Sequence, residues 1–320
     1  MQVGLDKAQD YAILVLLALL PGFSILFTSL ESFETAWFGR GLLAIGLVLY
    51  VVHFIDATSK TPIVDTKKLA ILAFGCSAAT IVFIVARGHL ISTLWPLSQR
   101  YVSQGWLSAF DLGYYALYLS FLSVAALGAR RALPLGISIS YLAINAAAFA
   151  YDLRYPFSTS FVWPLLLVAT LGAQGVGTLM FASEYSSYVG GNTYLLKIAQ
   201  GDSSTGAIIG WPCAGFTGLV LFGTLFTIFL SGTAVTARRK ALYAALGVGG
   251  TLLLNMWRIA FILYASLTWG WNIGEVFHSI GYELVFIAWL LAFMGLVILL
   301  ETRRLSLGRL WEGVASRLRV

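Results

Sequence analysis

Residues 241–268 read ALYAALGVGGTLLLNMWRIAFILYASLT and carry a single charged side chain, Arg258. A helix needs about 20 mainly apolar residues to cross the hydrocarbon core of a bilayer, so this stretch predicts a transmembrane helix. An ionisable residue inside such a helix is energetically costly and by default marks a site. The stretch therefore predicts a membrane protein and offers Arg258 as a candidate site residue.

The whole chain has the composition of a membrane protein. Its 320 residues are 59% hydrophobic and 11% charged, with a mean hydropathy of +0.86, whereas a soluble domain carries about 25% charged residues. Thirty-four charges, 20 basic and 14 acidic, cannot cover a soluble globule of this size. The composition excludes a soluble enzyme, a disordered chain and a nucleic-acid-binding protein built on basic patches.

Apolar runs of spanning length recur along the chain, and they predict an all-α fold. We expect a polytopic transmembrane helical bundle of about 8–9 spans, with a short extracytoplasmic segment before Cys213. The runs lie near 11–29, 41–55, 69–86, 112–129, 133–151, 161–183, 214–232, 241–268 and 279–300.

Basic residues indicate how the last three helices are oriented. The cluster 238–240 is basic, and so is the tail that follows the last run. Cytoplasmic loops carry an excess of Lys and Arg, so both are expected in the cytoplasm, with the turn 269–278 and the segment before Cys213 outside. Arg130 and Arg131 do not fit a simple alternation of nine spans. Either one run is a re-entrant or surface helix, or a segment is missing from the count, and a missed or partial span is then expected in region 87–111.

The polar connection 184–212 interrupts the apolar pattern. Residues 193–198 alternate weakly between polar and apolar side chains, and Ala207 begins a short apolar stretch. Such a pattern predicts a small extended or hairpin element at the outer surface.

Three chemically capable side chains from three helices share one predicted depth. Arg258 lies about 26 Å along its helix at 1.5 Å per residue, near the outer edge of the hydrocarbon core, and Cys213 and His278 begin helices on that side. A Cys thiolate attacks carbonyl carbons, a neighbouring His transfers protons, and an Arg guanidinium stabilises an oxyanion. The trio therefore permits acyl transfer.

Other interpretations of these residues remain open. Cys213 is also compatible with a small packing residue, Arg258 with a side chain that reaches lipid phosphates, and His278 with an interfacial residue. An alternative function is a transporter with Arg258 as an anion-binding residue, and a second is a non-catalytic scaffold. The three His and two Cys residues are dispersed, so neither a metal site nor a cofactor is predicted.

The motifs around the trio resemble those of exosortases and archaeosortases. Pro212-Cys-Ala-Gly resembles the family's Cys-Ser/Ala-Gly motif, and Asn255-Met-Trp-Arg-Ile resembles its Asn-x-x-Arg-Ile motif. His278-Ser-Ile-Gly resembles the third motif, His-x-x-x-Gly, although Gly281 comes one position early. The resemblance covers about 160–300.

The resemblance implies a membrane-embedded cysteine transpeptidase. Its substrates would be secreted proteins with a C-terminal motif, a membrane helix and a basic tail, and the new C-terminus would pass to an acceptor, a membrane lipid being the expected one. Cys213 would form a thioester, Arg258 would stabilise the oxyanion, and His278 would act as general acid and base. The acceptor, including water in a simple protease, stays open.

The resemblance also implies supporting residues and a division of the chain. Asn255 could orient Arg258 from the same helix face, and Glu275 and Tyr282 stand three and four positions from His278. We expect N-terminal helices over 1–160, a catalytic core over 161–302 and a basic cytoplasmic tail over 303–320. The protein would lie in the cytoplasmic membrane, with its site facing outside.

Overall fold

The chain folds as a mostly helical protein. The computed structural model describes residues 12–22, 37–59, 66–94, 100–154, 162–190, 193–231, 233, 235–278 and 282–302. The helices are α1 (Ala12–Gly22), α2 (Trp37–Ser59), α3 (Thr66–Leu94), α4 (Arg100–Leu127), α5 (Ala129–Ala132), α6 (Gly136–Arg154), α7 (Trp163–Phe181), α8 (Phe216–Ser231), α9 (Ala237–Trp269), α10 (Trp271–Val276) and α11 (Tyr282–Thr302).

In the described part of the chain, five helical segments are long and apolar enough to cross a membrane. They are Lys67–Leu90, Trp106–Leu127, Ala129–Tyr151, Trp163–Phe181 and Ala237–Trp269. Shorter apolar helices cover Ala12–Gly22, Leu42–Ile55, Phe216–Ser231 and Val285–Glu301. Each predicted apolar run thus contains a helix. By length and composition, five of the helical segments are candidate spans.

The chain divides into two compact units, Met1–Pro156 and Phe157–Val320. In the first unit α4 packs against α3 and α6. Among the described residues, region 87–111 consists of the end of α3 and the start of α4, so the missed or partial span expected there is not a separate helix. The five residues between these helices, which lie outside the described part, are too few for a span.

The second unit contains α7 to α11 and a three-stranded antiparallel sheet. Its strands are β1 (Glu184–Gly190), β2 (Thr193–Gln200) and β3 (Ser203–Ile208), in the order β1-β2-β3. The extended or hairpin element predicted in 184–212 is therefore confirmed. The all-α class is too narrow, because these strands pair with each other over their whole length.

One face of the sheet packs onto α7 and α9. Tyr194, Leu196 and Ile198 alternate along β2 and are buried, as expected for side chains that point to one face of a strand. The Tyr185 hydroxyl donates a hydrogen bond of 2.8 Å to the Ala260 carbonyl on α9. The helices thus hold the sheet in place, and the chain passes from the last strand of the sheet into the turn that contains Cys213.

Close contacts also hold α8 and α11 against α9. A Cβ at Gly247 would lie 1.9 Å from the Phe222 ring, and one at Gly250 would lie 2.2 Å from the Trp289 ring. Small residues allow membrane helices to approach each other closely. These contacts place the helix that carries Arg258 between the helices that flank Cys213 and His278 in the sequence.

Candidate functional site

Cys213 lies on a tight turn between the sheet and α8. Residues Trp211–Ala214 form one 3₁₀ turn, in which the Cys213 N–H donates to the Gly210 carbonyl at 3.0 Å. Gly215 follows with φ +86°, a left-handed conformation that favours glycine, and α8 begins at the next residue. The Cys213 side chain is half-buried.

Asn255 fixes this turn from α9. Its Nδ2 donates to the Cys213 carbonyl at 2.9 Å, and its side chain is only 1% exposed. A Cβ on Gly215 would lie 3.0 Å from the same Nδ2, so the glycine is needed for the close approach as well as for its φ angle. The backbone of the candidate nucleophile is therefore held by a buried amide.

His278 brings its imidazole to the Cys213 thiol. The distance from Cys213 Sγ to His278 Nε2 is 3.7 Å, and His278 Nδ1 lies 3.9 Å from Glu275 Oε1. The preceding residue, Phe277, packs its ring edge-on against Phe261 of α9, with the ring centroids 4.9 Å apart. The segment after α10 is thus fixed by an aromatic contact next to the imidazole.

Arg258 binds the backbone of His278. Its Nη2 donates to the His278 carbonyl at 3.1 Å, and the residue is 8% exposed. Asn255 and Arg258 lie one helical turn apart on α9, so the same helix face contacts both the Cys213 turn and the His278 segment. Helix α9 therefore determines the relative positions of the thiol and the imidazole.

The three side chains surround one cavity of about 220 Å³. Its lining comes from α9, from the last residues of β3 and the residue after them, and from α10. Apart from the polar groups near Cys213, the lining is mainly apolar, with Ile208, Ile262 and Trp271 among its members. A thiol, an imidazole, a guanidinium and the Glu275 carboxylate therefore share a largely apolar cavity.

The pKa of His278 is lowered from its ordinary value. Burial of the ring lowers it most, the nearby Arg258 guanidinium lowers it further, and the Glu275 carboxylate opposes them. A neutral imidazole is thereby favoured at neutral pH. The 3.9 Å separation of Nδ1 and Glu275 is longer than a hydrogen bond, so Glu275 acts on the ring electrostatically in this state.

The structure brings five of the six candidate residues from the sequence into this cluster. Cys213, Arg258 and His278 meet at the cavity, Glu275 lies beside His278, and Asn255 contacts the Cys213 carbonyl. The side chain of the sixth, Tyr282, lies outside the described residues, as do Gly281 of the third motif and the tail 303–320.

Some contributors to the cavity were not predicted from the sequence. Ala207 and Ile208 contribute to the lining from β3, and Trp271 contributes from α10. The apolar character of residues 207–209 just before the Cys213 turn was visible in the sequence, but their position depends on the register of the sheet. Within the described ranges, His, Cys, Asp and Glu residues form no group of three or more that could hold a metal ion.

Comparisons with models of known protein families, with curated proteins and with solved structures find no match to this chain. The site must therefore be interpreted from its own geometry, together with the motif resemblance.

Proposed function

We propose that this chain is a membrane cysteine transpeptidase that cleaves the C-terminal sorting signal of secreted proteins and transfers the new C-terminus to an acceptor. The observation that carries the proposal is the 3.7 Å distance between Cys213 Sγ and His278 Nε2 in an apolar cavity that Arg258 also lines. A nucleophile within reach of a base, with a third group that orients the base, is the arrangement of nucleophilic catalysis.

The proposed first half-reaction forms a thioester. His278 Nε2 takes the thiol proton, and Cys213 Sγ attacks the carbonyl carbon of the scissile peptide bond. Arg258 stabilises the negative oxygen of the tetrahedral intermediate. When the C–N bond breaks, His278 returns the proton to the departing amine, which leaves with the C-terminal part of the substrate.

The second half-reaction releases the enzyme. His278 removes a proton from an amine, hydroxyl or water, and the resulting nucleophile attacks the thioester carbonyl. The thiolate leaves and regains its proton from the imidazolium. Glu275 favours the tautomer with the proton on Nδ1, which leaves Nε2 free to accept the thiol proton. The proposed acceptor is a membrane lipid, because the site belongs to a chain with membrane-spanning character.

The proposed orientation places the cavity on the extracytoplasmic side of the cytoplasmic membrane. Arg239, at the start of α9, pairs with Glu301 near the end of α11 at 3.3 Å. The start of α9 and the end of α11 therefore lie next to each other. Arg258 lies 19 residues further along α9, about 28 Å at 1.5 Å per residue, which is close to the thickness of a hydrocarbon core. A cytoplasmic Arg239 thus supports an outward-facing cavity, in a bundle proposed to have about 8–9 spans.

The test is processing of a secreted protein with a C-terminal motif, membrane helix and basic tail, encoded in the same genome and co-expressed with variants of this chain. Cys213→Ala should abolish processing, Cys213→Ser should slow it strongly, and Cys76→Ala is the matched control because Cys76 is buried in the other unit. The mass of the new C-terminus identifies lipid, amine or water as acceptor. Full processing by Cys213→Ala would refute the proposal.

The transporter alternative makes a different prediction. An anion carrier that binds its substrate through Arg258 need not lose its flux in proteoliposomes when Cys213 is alkylated. The proposed transpeptidase should lose processing after the same treatment. Retained flux together with unchanged processing would favour transport.

A further inference from the structure

The cavity at Cys213 borders on the edge of β3. Ala207, Ile208 and Ile209 all line it. Successive side chains of a strand point to opposite faces of the sheet, so a cavity that all three residues line reaches the backbone of the strand at Ile208 as well as the side chains of one face. The end of β3, which has a sheet partner on one side only among the described strands, therefore borders the cavity.

That edge carries backbone groups that the sheet does not use. In the described part of the chain β3 pairs with β2 alone. The Ile209 N–H donates to the Tyr194 carbonyl at 2.7 Å, and alternate residues of an antiparallel strand face the same neighbour. Ala207 and Thr205 accordingly face β2, whereas Ile208 directs its N–H and C=O away from the sheet.

The free edge leads directly to the nucleophile. Ile208 is 70% exposed, and the chain continues from it through the tight turn to Cys213. The same cavity is lined by α10, on which Trp271 is 60% exposed. The cavity thus combines the end of an edge strand, apolar side chains and the thiol, and we call it the groove.

We propose that an extended segment of the substrate polypeptide binds in this groove as a fourth strand, paired with the free edge of β3 at Ile208, and that this pairing presents the scissile carbonyl to Cys213. The proposal rests on the proposed function and names its substrate-binding mode. The occupant is a peptide because backbone N–H and C=O groups at a sheet edge are complementary to another backbone.

The key variant is Ile208→Pro. Proline removes the outward N–H of Ile208 and leaves the bonds between β3 and β2 in place, and edge strands tolerate proline where the N–H faces outward. Ile208→Ala is the matched control, because it shortens the side chain and keeps the N–H. Ser204→Pro is the second control: Ser204 also faces outward, but it lies four residues, about 13 Å, further along the strand.

The readout is alkylation of Cys213 in the purified full-length protein, followed by peptide-mapping mass spectrometry. The probes are acetyl-Ala-Val-Ala chloromethyl ketone, acetyl-Ala chloromethyl ketone and iodoacetamide. In each case the Cys213 sulfur displaces a halide, but only the tripeptide is long enough to pair with β3. The wild type should react faster with the tripeptide than with the single residue, by roughly 2- to 10-fold for one or two hydrogen bonds.

Ile208→Pro should lose this excess, and Ser204→Pro should keep it. Ile208→Ala measures how much of the loss comes from the side chain that lines the cavity, and it should retain more of the excess than Ile208→Pro. The iodoacetamide rate of each variant shows whether the thiol itself has moved. If the proline variant does not fold, N-methylated tripeptides on the wild type provide the test. Methylation at one of two adjacent residues should remove the excess, and methylation at the other should not, because alternate residues face the edge.

Equal rates for long and short probes on the wild type would overturn the inference, and so would an excess that survives Ile208→Pro or an equal effect of methylation at both positions. These outcomes are separate from a failure of the proposed function. If Cys213→Ala still processes substrate, the proposed function fails. If processing needs Cys213 and the tripeptide excess is absent or insensitive to the edge, only the strand-pairing inference fails.

Discussion

Gly215→Ala tests whether the turn that carries Cys213 is as rigid as its contacts indicate. Gly215 has φ +86°, and an alanine in a left-handed conformation costs about 1–2 kcal/mol. The new methyl group would also lie 3.0 Å from Asn255 Nδ2 and 3.1 Å from its Cγ. Asn255 is 1% exposed and bonded to the Cys213 carbonyl, so it can move aside only by releasing that carbonyl.

The two costs add to roughly 2–5 kcal/mol when about 1–3 kcal/mol is allowed for overpacking. For a unit of this size we expect the midpoint of thermal unfolding to fall by roughly 5–15 °C. Because relief of the contact displaces the turn, the rate of Cys213 alkylation by iodoacetamide should change as well. Tryptophan fluorescence on heating measures the first effect, and peptide-mapping mass spectrometry measures the second.

Gly223→Ala, on the helix α8 that follows the turn, is the matched control. A Cβ at Gly223 meets no atom within 4 Å, and alanine in a helix is favoured over glycine by about 1 kcal/mol. This variant should be as stable as the wild type or more so, with an unchanged alkylation rate. If Gly215→Ala matches the wild type in both measurements, neither the φ angle nor the Asn255 contact constrains the turn, and the reasoning is wrong.

Two further predictions follow from charged groups. As the pH is lowered, the alkylation rate of Cys213 should reach half its value at neutral pH only below about pH 6.5, the ordinary pKa of histidine. The pKa of His278 is lowered, so the ring stays neutral and able to accept the thiol proton further into acid. Glu275→Gln should move this midpoint to still lower pH, since the carboxylate raises the pKa of His278; a rise would contradict the assignment. In the first unit, Asp111→Ala should destabilise the protein by about 3–5 kcal/mol by breaking the buried bond of 2.9 Å to Arg87. Replacement of both residues by leucine should recover most of that loss in thermal unfolding, and a double variant no better than the single one would contradict the ion pair.

The helices were predictable because their signal is local. An apolar run of the required length specifies a helix in a bilayer whatever its neighbours are, and each predicted run contains one. Length separates the candidate spans from the shorter apolar helices. Helix α8, at Phe216–Ser231, is apolar in composition but too short to be a candidate span.

The sequence was enough to predict which residues form the candidate site, but not how they contact each other. The scarcity of charge drew attention to Arg258 and His278, and helix spacing placed Cys213 at the same depth. Spacing along α9 could not show that Asn255 bonds the Cys213 carbonyl, because that contact depends on where the turn before α8 docks. The Arg87–Asp111 pair was not predicted for the same reason, since its two residues lie on different helices, 24 positions apart.

The contacts of Arg258 connect the two halves of the proposed mechanism. Its Nη2 holds the His278 carbonyl at 3.1 Å, and the residue also lines the cavity beside Cys213. A guanidinium has several donors in one rigid plane, so it can bind a backbone carbonyl and still offer a donor to an oxyanion, whereas the ammonium of lysine is a compact point charge. Arg258→Lys would therefore preserve the charge and lose the simultaneous contact. Activity lost on this substitution reports the position of His278 as much as the stabilisation of the oxyanion. The pH dependence of Cys213 alkylation helps to separate the two, because alkylation involves the thiol and its neighbouring imidazole but forms no oxyanion.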